Sequence, residues 1–113
     1  MFDTARFQII GRVGKVKTFD KVVRVSVATN ASYKEQGEWK DRTFWNEVTI
    51  FDRGTRGFVE KNVAPGDYVR VEGTIRSTSF ERDGEKVYTT DLAVDGFHRQ
   101  AKKRSADGAE SGN

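Results

Sequence analysis

Large aromatic side chains alternate with polar and basic ones in two extended stretches of this 113-residue sequence. Alternation places Trp45 and Phe51 on one face of the first stretch, and Phe80 on the same face as Arg76 in the second. Rings exposed on polar faces leave apolar area uncovered unless something binds there. Aromatic rings stack on any unpaired base for about 1–3 kcal/mol per base, while neighbouring Arg and Lys contact the phosphates. The pattern therefore indicates a surface that binds single-stranded nucleic acid.

Two further rings, Tyr33 and Trp39, fall in a polar stretch, residues 31–42, that also holds basic residues. A ring in such a position can instead lie under a folded-back loop or in a subunit interface, and both alternatives stay open for each ring taken singly. Basic residues beside the rings or at outward strand positions are expected to contact phosphates. They are Arg12, Lys34, Arg42 and Arg70.

Catalytic chemistry has little support in the sequence. The chain has no Cys, and its single His, His98, stands alone at the end of the patterned region. No cluster of His and carboxylates has metal-ligand spacing, and no glycine-rich phosphate loop joins a strand to a helix. We therefore predict no catalytic residue, no metal and no cofactor. A small barrel nuclease built on Asp, Glu and Arg is the enzymatic alternative.

The elements that must position the rings are strands. The sequence has 13 Val and 4 Ile but one Leu, and β-branched residues favour pleated surfaces. Period-two alternation recurs five times between turn residues, with one helical stretch interposed. The predicted strands are 5–19, 21–30, 43–51, 67–80 and 86–97, the predicted helix is 52–63, and 31–42 is predicted to be a long loop. Asp52 is the predicted helix cap, Arg82-Asp83-Gly84-Glu85 is a predicted hairpin turn, and bends or bulges are predicted at Gly11, Gly14 and Gly73.

Three strands, a short helix and two strands are the order of an all-β, five-stranded Greek-key barrel of the OB-fold type, with its helix between strands 3 and 4. A small SH3-like barrel is the competing architecture, but it needs no such helix. We place one domain at residues 1–97 and a disordered basic tail at 98–113, where the apolar pattern stops. The side chains predicted to face the core include Phe44, Val48, Ile50, Phe58, Val59, Val69, Val71 and Ile75.

Charge and hydropathy bear on partners and compartment. The net charge is +3, from 20 Lys and Arg against 17 Asp and Glu, which alone is a weak footprint for a nucleic-acid binder. No apolar run approaches the ~18–20 residues that span a membrane, and the N-terminus has no secretory pattern. The lack of Cys fits a reducing compartment, so we expect a cytoplasmic protein with no membrane partner.

Residues 5–97 resemble the bacterial single-stranded DNA-binding protein (SSB) family, through several stretches whose order and spacing together are fairly specific. These stretches are FQIIGRVG (7–14), VSVATN (25–30), FWNEVTIF (44–51), GDYVRVEG (66–73), and the later Ile75-Arg76, Phe80 and YTT (88–90).

The resemblance implies an OB fold, assembled into a homotetramer or, alternatively, a dimer, that wraps single-stranded DNA cooperatively and without sequence preference. It implies particular residues for each role. Base stacking falls on Tyr33, Trp45, Phe51 and Phe80, phosphate contacts on Arg6, Arg53 and Arg76, and subunit contacts on Phe7 and Ile9 of the first strand.

Family members commonly end in an acidic tip that recruits replication and repair enzymes, whereas this chain ends in a short basic tail. We therefore do not expect recruitment through such a tip, and we expect a plasmid, phage or accessory member of the family.

The leading hypothesis is sequence-independent binding and protection of single-stranded DNA in replication, recombination and repair, at a bacterial nucleoid or plasmid. The alternatives are an OB-fold protein-interaction module of a replication-restart complex and a single-stranded RNA binder.

Overall fold

Five strands and one helix make up residues 3–102, the part of the chain that the structure, a computed structural model, describes. They are β1 (Arg6–Thr18), β2 (Val23–Glu35), β3 (Glu38–Ile50), α1 (Arg53–Asn62), β4 (Tyr68–Arg82) and β5 (Glu85–Ala101). The strands close into a barrel in the order β1-β2-β3-β5-β4. This order, with the helix between the third and fourth strands, confirms the predicted Greek-key OB barrel.

The core consists mainly of β-branched residues that alternate along the strands. Val25 of β2 lies opposite Val48 of β3, and Ile9 of β1 lies opposite Val71 of β4, so paired residues share the inward face. Burying such a side chain stabilises the fold by about 1.5–3 kcal/mol. The side chains without solvent exposure are Val23, Val25, Val27, Val48, Ile50, Val59, Val69 and Val71.

The helix α1 begins at the cap that the sequence predicts. Oδ2 of Asp52 accepts hydrogen bonds from the backbone N–H of Thr55 at 2.8 Å and from its hydroxyl at 2.9 Å. These bonds hold the pKa of Asp52 below its ordinary 3.8. Val59 packs into the core as predicted, but the same prediction for Phe58 is wrong, since that ring is exposed. Adjacent helical positions point about 100° apart, and with Val59 directed into the barrel the Phe58 side chain is turned toward solvent.

Gly73 marks the bend that its position in the middle of a strand predicts. The pairing of β4 with β5 shifts register between Glu72 and Gly73. A Cβ at Gly73 would overlap the carbonyl oxygen of Ala93, so a side chain here would force the two strands apart. The bulge therefore bends β4 close to where it separates from β1, whose pairing ends at Thr74.

The prediction of a long loop at residues 31–42 is wrong, because β2 and β3 pair continuously through this stretch. Their pairing runs from Val23 and Ile50 to Glu35 and Glu38. The turn residues between them, Gln36-Gly37, have φ angles of 51° and 81°, as in a type I′ hairpin turn. Neither face of this hairpin is buried, so the sequence lacks the apolar alternation that reveals a strand.

Two hairpins extend beyond the closed barrel. β1 pairs with β2 as far as Ala28 and with β4 as far as Thr74. Residues 29–44 therefore form a two-stranded projection, the β2–β3 arm, and residues 76–91 form a second, the β4–β5 arm. The β4–β5 arm turns at Asp83-Gly84, within the predicted hairpin turn.

The fifth strand continues to Ala101, four residues past its predicted end. Arg99 pairs with Val69, and Ala101 pairs with Tyr68, so residues 98–101 belong to the barrel rather than to a tail. Residues 103–113 of the predicted tail lie outside the described residues.

Inward side chains are predicted correctly in the barrel and incorrectly near the arms. Phe44 and Ile75, predicted to face the core, are exposed because no opposing sheet covers them there. Thr49, which alternation places on the outward face with Trp45, is only 5% exposed. It lies where β3 meets Ala93 of β5 and the barrel closes.

Candidate nucleic-acid interface

The five rings predicted to stack on bases are all exposed, and they lie on the arms or where the arms join the barrel. Trp39 is 71% exposed and Trp45 is 62% exposed. Large side chains with this much apolar area in water contribute little to the core. The remaining three, also exposed, are Tyr33, Phe51 and Phe80.

The two faces of the β2–β3 arm carry different rings. Tyr33 lies on the face that continues the inward side of the barrel, with the Arg42 guanidinium carbon 5.3 Å from its ring centroid. Trp39 lies on the other face beside its cross-strand neighbour Lys34, whose ammonium is 5.9 Å from the indole centroid. Trp45 shares the face of Trp39, because an even number of residues separates them along β3. The arm thus offers a ring and a cation on each side.

Trp45 lies against the backbone of β1 at a bulge. The pairing of β1 with β2 shifts register between Val13 and Lys15, as the glycine at position 14 predicts. A Cβ at Gly14 would overlap Cζ3 of the Trp45 indole, so glycine is what lets the ring approach this closely. The contact supports the indole against the barrel while leaving most of its surface in water.

A row of alternating rings and cations runs from the end of β3 along β4. The Arg76 guanidinium carbon lies 5.9 Å from the ring centroid of Phe51, and that of Arg82 lies 5.8 Å from the ring of Phe80. Between the two cations, the hydroxyl oxygens of Thr78 and Thr89 are 3.0 Å apart and join the two strands of the arm. Cation–π contacts at such exposed sites are worth about 0.5–1 kcal/mol.

Three basic residues of this surface are absent from the sequence predictions. Arg82 falls in the predicted hairpin turn, although its position two residues after Phe80 places it on the same face. Lys15 and Lys17 line a cavity of about 350 Å³ together with Gly14, Ser26 and Trp45. Their proximity to Trp45 depends on strand register, for which a single strand's pattern carries no signal.

Arg6, a predicted phosphate contact, has an ionic partner. Its two terminal nitrogens donate to the two carboxylate oxygens of Asp95, each at 3.0 Å. These hydrogen bonds raise the pKa of Arg6 and lower that of Asp95. A phosphate that bound Arg6 would have to compete with this carboxylate.

Among the described residues, Arg12, Arg70 and Arg53 make no cation–π contact with any of the five predicted rings. The Arg12 guanidinium donates to the carbonyl oxygen of Gly66 at 3.0 Å and lies 5.2 Å from the ring centroid of Tyr68. Arg70, half-buried, is paired in register with Ile10 and His98 on the β1–β4–β5 side of the barrel. Arg53, the first residue of α1, is exposed and lies two residues after Phe51.

The residues implied in subunit contacts, Phe7 and Ile9, face the core of their own barrel. Ile9 is a buried member of that core, and Phe7 packs against it. Ile10, the outward apolar residue of β1, is 46% exposed. An apolar surface on β1 that another protomer could cover is therefore centred on Ile10.

Within residues 3–102, no group of three or more His, Cys, Asp or Glu side chains could hold a metal ion. Among the same residues, no helix has the length and hydropathy needed to span a membrane.

Comparison with known proteins agrees with this architecture. The curated single-stranded DNA-binding proteins of Rickettsia typhi and Rickettsia felis are each 31% identical over 101 residues, covering 81% of this chain and 66% of theirs. The chain thus spans slightly less than two thirds of the length of these relatives.

Solved structures share the fold. Plasmodium falciparum SSB in complex with ssDNA superposes with a TM-score of 0.71 at 21% identity, over 88% of this chain and 97% of the other. The mitochondrial single-stranded DNA-binding protein Rim1 of S. cerevisiae superposes with a TM-score of 0.69 at 23% identity, over 90% of this chain and 100% of the other. At residues 4–100, the sequence matches the model described as the single-strand binding protein family. The chain therefore belongs to the single-strand binding protein family.

Proposed function

We propose that this protein binds single-stranded DNA without sequence preference and protects it in replication, recombination and repair. The observation that carries the proposal is the position of its exposed rings on the arms and at their bases. Four of them have a cation within 6 Å of the ring centroid: Tyr33, Trp39, Phe51 and Phe80.

Stacking and charge together account for the proposed preference for single strands. Each exposed ring face can accept a base for about 1–3 kcal/mol, and every base offers a π-face whatever its identity. Within a duplex these faces are already stacked on one another, so the rings have nothing to bind. Lys34, Arg42, Arg76 and Arg82 are placed to follow the phosphates between stacked bases.

The names of relatives support DNA as the ligand. The curated Rickettsia relatives are called single-stranded DNA-binding proteins, and one structural neighbour was solved with ssDNA. We therefore favour DNA over RNA, and a non-catalytic binding role over an enzymatic one. A bacterial cytoplasm is the proposed setting.

The proposed assembly is a homotetramer, with a dimer as the alternative. Ile10 supports assembly through β1, because an exposed apolar side chain on a strand face loses contact with water when another protomer covers it. Phe7 and Ile9 would support that interface from the barrel side rather than form its surface. Light scattering of the free protein measures the subunit number.

Anisotropy titrations with labelled oligo-dT, oligo-rU and duplex DNA of equal length test the proposal. We expect tight binding of oligo-dT at low salt, weaker binding of oligo-rU, and the weakest binding of duplex. Preference for oligo-rU would favour an RNA binder. Equal binding of duplex, or no binding of any probe, would contradict the proposal, and the latter would favour a protein-interaction module.

A further inference from the structure

The cavity beside Trp45 combines a ring with cations from a different strand. It measures about 350 Å³, near the lower end of the ~300–1,000 Å³ typical of small-molecule sites, and Gly14, Lys15, Lys17, Ser26 and Trp45 line it. Lys15 pairs with Ser26 across β1 and β2, so the ammonium and the hydroxyl lie on the same face of the sheet. The cavity therefore has an aromatic wall and a wall of hydrogen-bond donors.

The two lysines are available to a ligand. Within residues 3–102, neither Lys15 nor Lys17 forms an ion pair or a side-chain hydrogen bond, and both are exposed. Lys40 contrasts with them, since its ammonium lies 3.1 Å from a carboxylate oxygen of Glu35. Unpaired ammonium groups beside a ring are suited to bind a phosphate, which accepts hydrogen bonds and carries the opposite charge.

The surface around the cavity does not offset this positive charge. Glu47 lies on the same face, but its carboxylate is 3.9 Å from the Arg24 guanidinium, so its charge is compensated. Arg24 is the cross-strand neighbour of Lys17, and its guanidinium carbon lies 5.8 Å from the ring centroid of Phe19. A further exposed ring, Phe19, thus continues the surface along the outer face of β1 and β2, and the Arg24–Glu47 pair adds no net charge to it.

We propose that this cavity is a nucleotide subsite in which Trp45 stacks on the base while Lys15, Lys17 and the Ser26 hydroxyl hold the adjoining phosphate. This inference rests on the proposed function and adds to it the path that the DNA strand follows across the protein. The DNA strand leaves the base of the β2–β3 arm and crosses the outer face of β1 and β2 toward Phe19. Gly14 makes the subsite compact by letting the indole lie against the bulge.

Lysine acetylation of the intact protein, with and without oligo-dT, tests the contact directly. Mass spectrometry should show several-fold slower acetylation of Lys15 and Lys17 when oligo-dT is bound. Lys61, in the last turn of α1, should react at the same rate in both samples. Unchanged rates at Lys15 and Lys17 under conditions where anisotropy shows bound oligo-dT would overturn the subsite and leave the proposed function standing.

A charge-matched pair of variants tests the energetic role. The double variant Lys15→Gln/Lys17→Gln, the cavity pair, removes two positive charges from the cavity. The double variant Lys61→Gln/Lys102→Gln, the control pair, removes two positive charges elsewhere on the described chain. The slope of log affinity against log salt should become shallower by about 1.4 for the cavity pair, since each phosphate contact with a single strand contributes about 0.7.

Removing these two phosphate contacts should lower the oligo-dT affinity of the cavity pair about tenfold at roughly 0.2 M salt. The control pair should lose much less affinity. Equal losses in the two pairs would overturn the subsite, because they would show a general charge effect. Absence of oligo-dT binding by the unaltered protein would instead contradict the proposed function and the subsite with it.

Discussion

Along β3, Val48 and Ile50 are fully buried in the barrel, whereas Trp39 and Trp45 of the same strand are 71% and 62% exposed. The β4 strand repeats the contrast, because its Val69 and Val71 are buried whereas its Phe80 is exposed. One strand thus contributes apolar side chains to the core at one end and exposes larger ones at the other. Since ring area left in water does not stabilise the fold, the exposed rings support the proposal that this surface binds a partner while the barrel holds the arms in place.

Arg6 of the barrel and the cations that lie over the predicted rings differ in their partners. Near the barrel, Arg6 is bound by two hydrogen bonds to Asp95. On and beside the arms, Lys34, Arg42 and Arg76 lie over rings, and within residues 3–102 none of them has a carboxylate within ion-pair distance. Stability should therefore respond to changes in the barrel core, and binding should respond to changes at the exposed rings and the cations beside them.

The largest effect should come from truncating a barrel residue. Ile50→Ala leaves a cavity in the core and should lower the free energy of unfolding by about 2–5 kcal/mol in denaturant titrations. Ile75→Ala, which removes the same atoms from an exposed side chain at the base of an arm, should cost about 1 kcal/mol or less. Equal losses would show that the base of the arm is as much a part of the core as Ile50.

Truncating an interface ring should weaken DNA binding and leave stability nearly unchanged. Trp45→Ala should weaken oligo-dT binding by about 1–3 kcal/mol while leaving the unfolding free energy nearly unchanged. Tyr88→Ala is the control, since Tyr88 is exposed on the face of the β4–β5 arm opposite Phe80. Light scattering verifies that both variants keep the assembly of the unaltered protein. Unchanged DNA affinity in Trp45→Ala would make this ring structural.

A smaller effect should come from one cation, and it should depend on location. Arg76→Gln should make the salt dependence of oligo-dT affinity shallower by about 0.7, the contribution of one phosphate on a single strand. Arg70→Gln removes the same charge from the β1–β4–β5 side of the barrel, away from the rings, and should leave the slope nearly unchanged. A larger change for Arg70 would place the DNA path on that side.

The smallest effect should come from the helix cap, as a change in how the free energy of unfolding falls at acidic pH. Hydrogen bonds from Thr55 lower the pKa of Asp52, so its stabilising contribution is fully present above its ordinary value of 3.8 and is lost as pH falls through the depressed value. Asp52→Asn keeps an acceptor at the cap but cannot titrate. Unfolding measured between neutral pH and strongly acidic pH should therefore show a shallower decline for Asp52→Asn, and an identical decline would contradict the cap assignment.

The barrel is more predictable from the sequence than the interface, because burial leaves a local pattern. Alternation along Val23, Val25 and Val27 predicts a half-buried strand, and Asp83-Gly84 predicts a tight turn; the structure confirms both. The β2–β3 arm is invisible to this approach because neither of its faces is buried. With no buried face, its strands lack the signal that would distinguish them from a loop.

The ring positions could be predicted, but most of their neighbours could not. Trp45 and Phe80 stand out within single stretches of sequence, as rings on polar faces. The nearness of Lys15 and Lys17 to Trp45 requires the register of three strands and the bulge at Gly14, and such long-range pairing leaves no trace in one segment. Arg6 is a further example: the sequence does not reveal its carboxylate partner, Asp95, because the two residues lie 89 positions apart along the chain.

The most direct measurement is a fluorescence titration of the Trp39→Phe variant with oligo-dT at low salt, followed by addition of salt. In this variant, Trp45 is the one remaining indole of the chain. Stacking on unpaired bases predicts strong, saturable quenching that salt reverses, with little quenching by duplex DNA. Unchanged Trp45 emission at oligo-dT concentrations where anisotropy shows the DNA to be bound would contradict the stacking role.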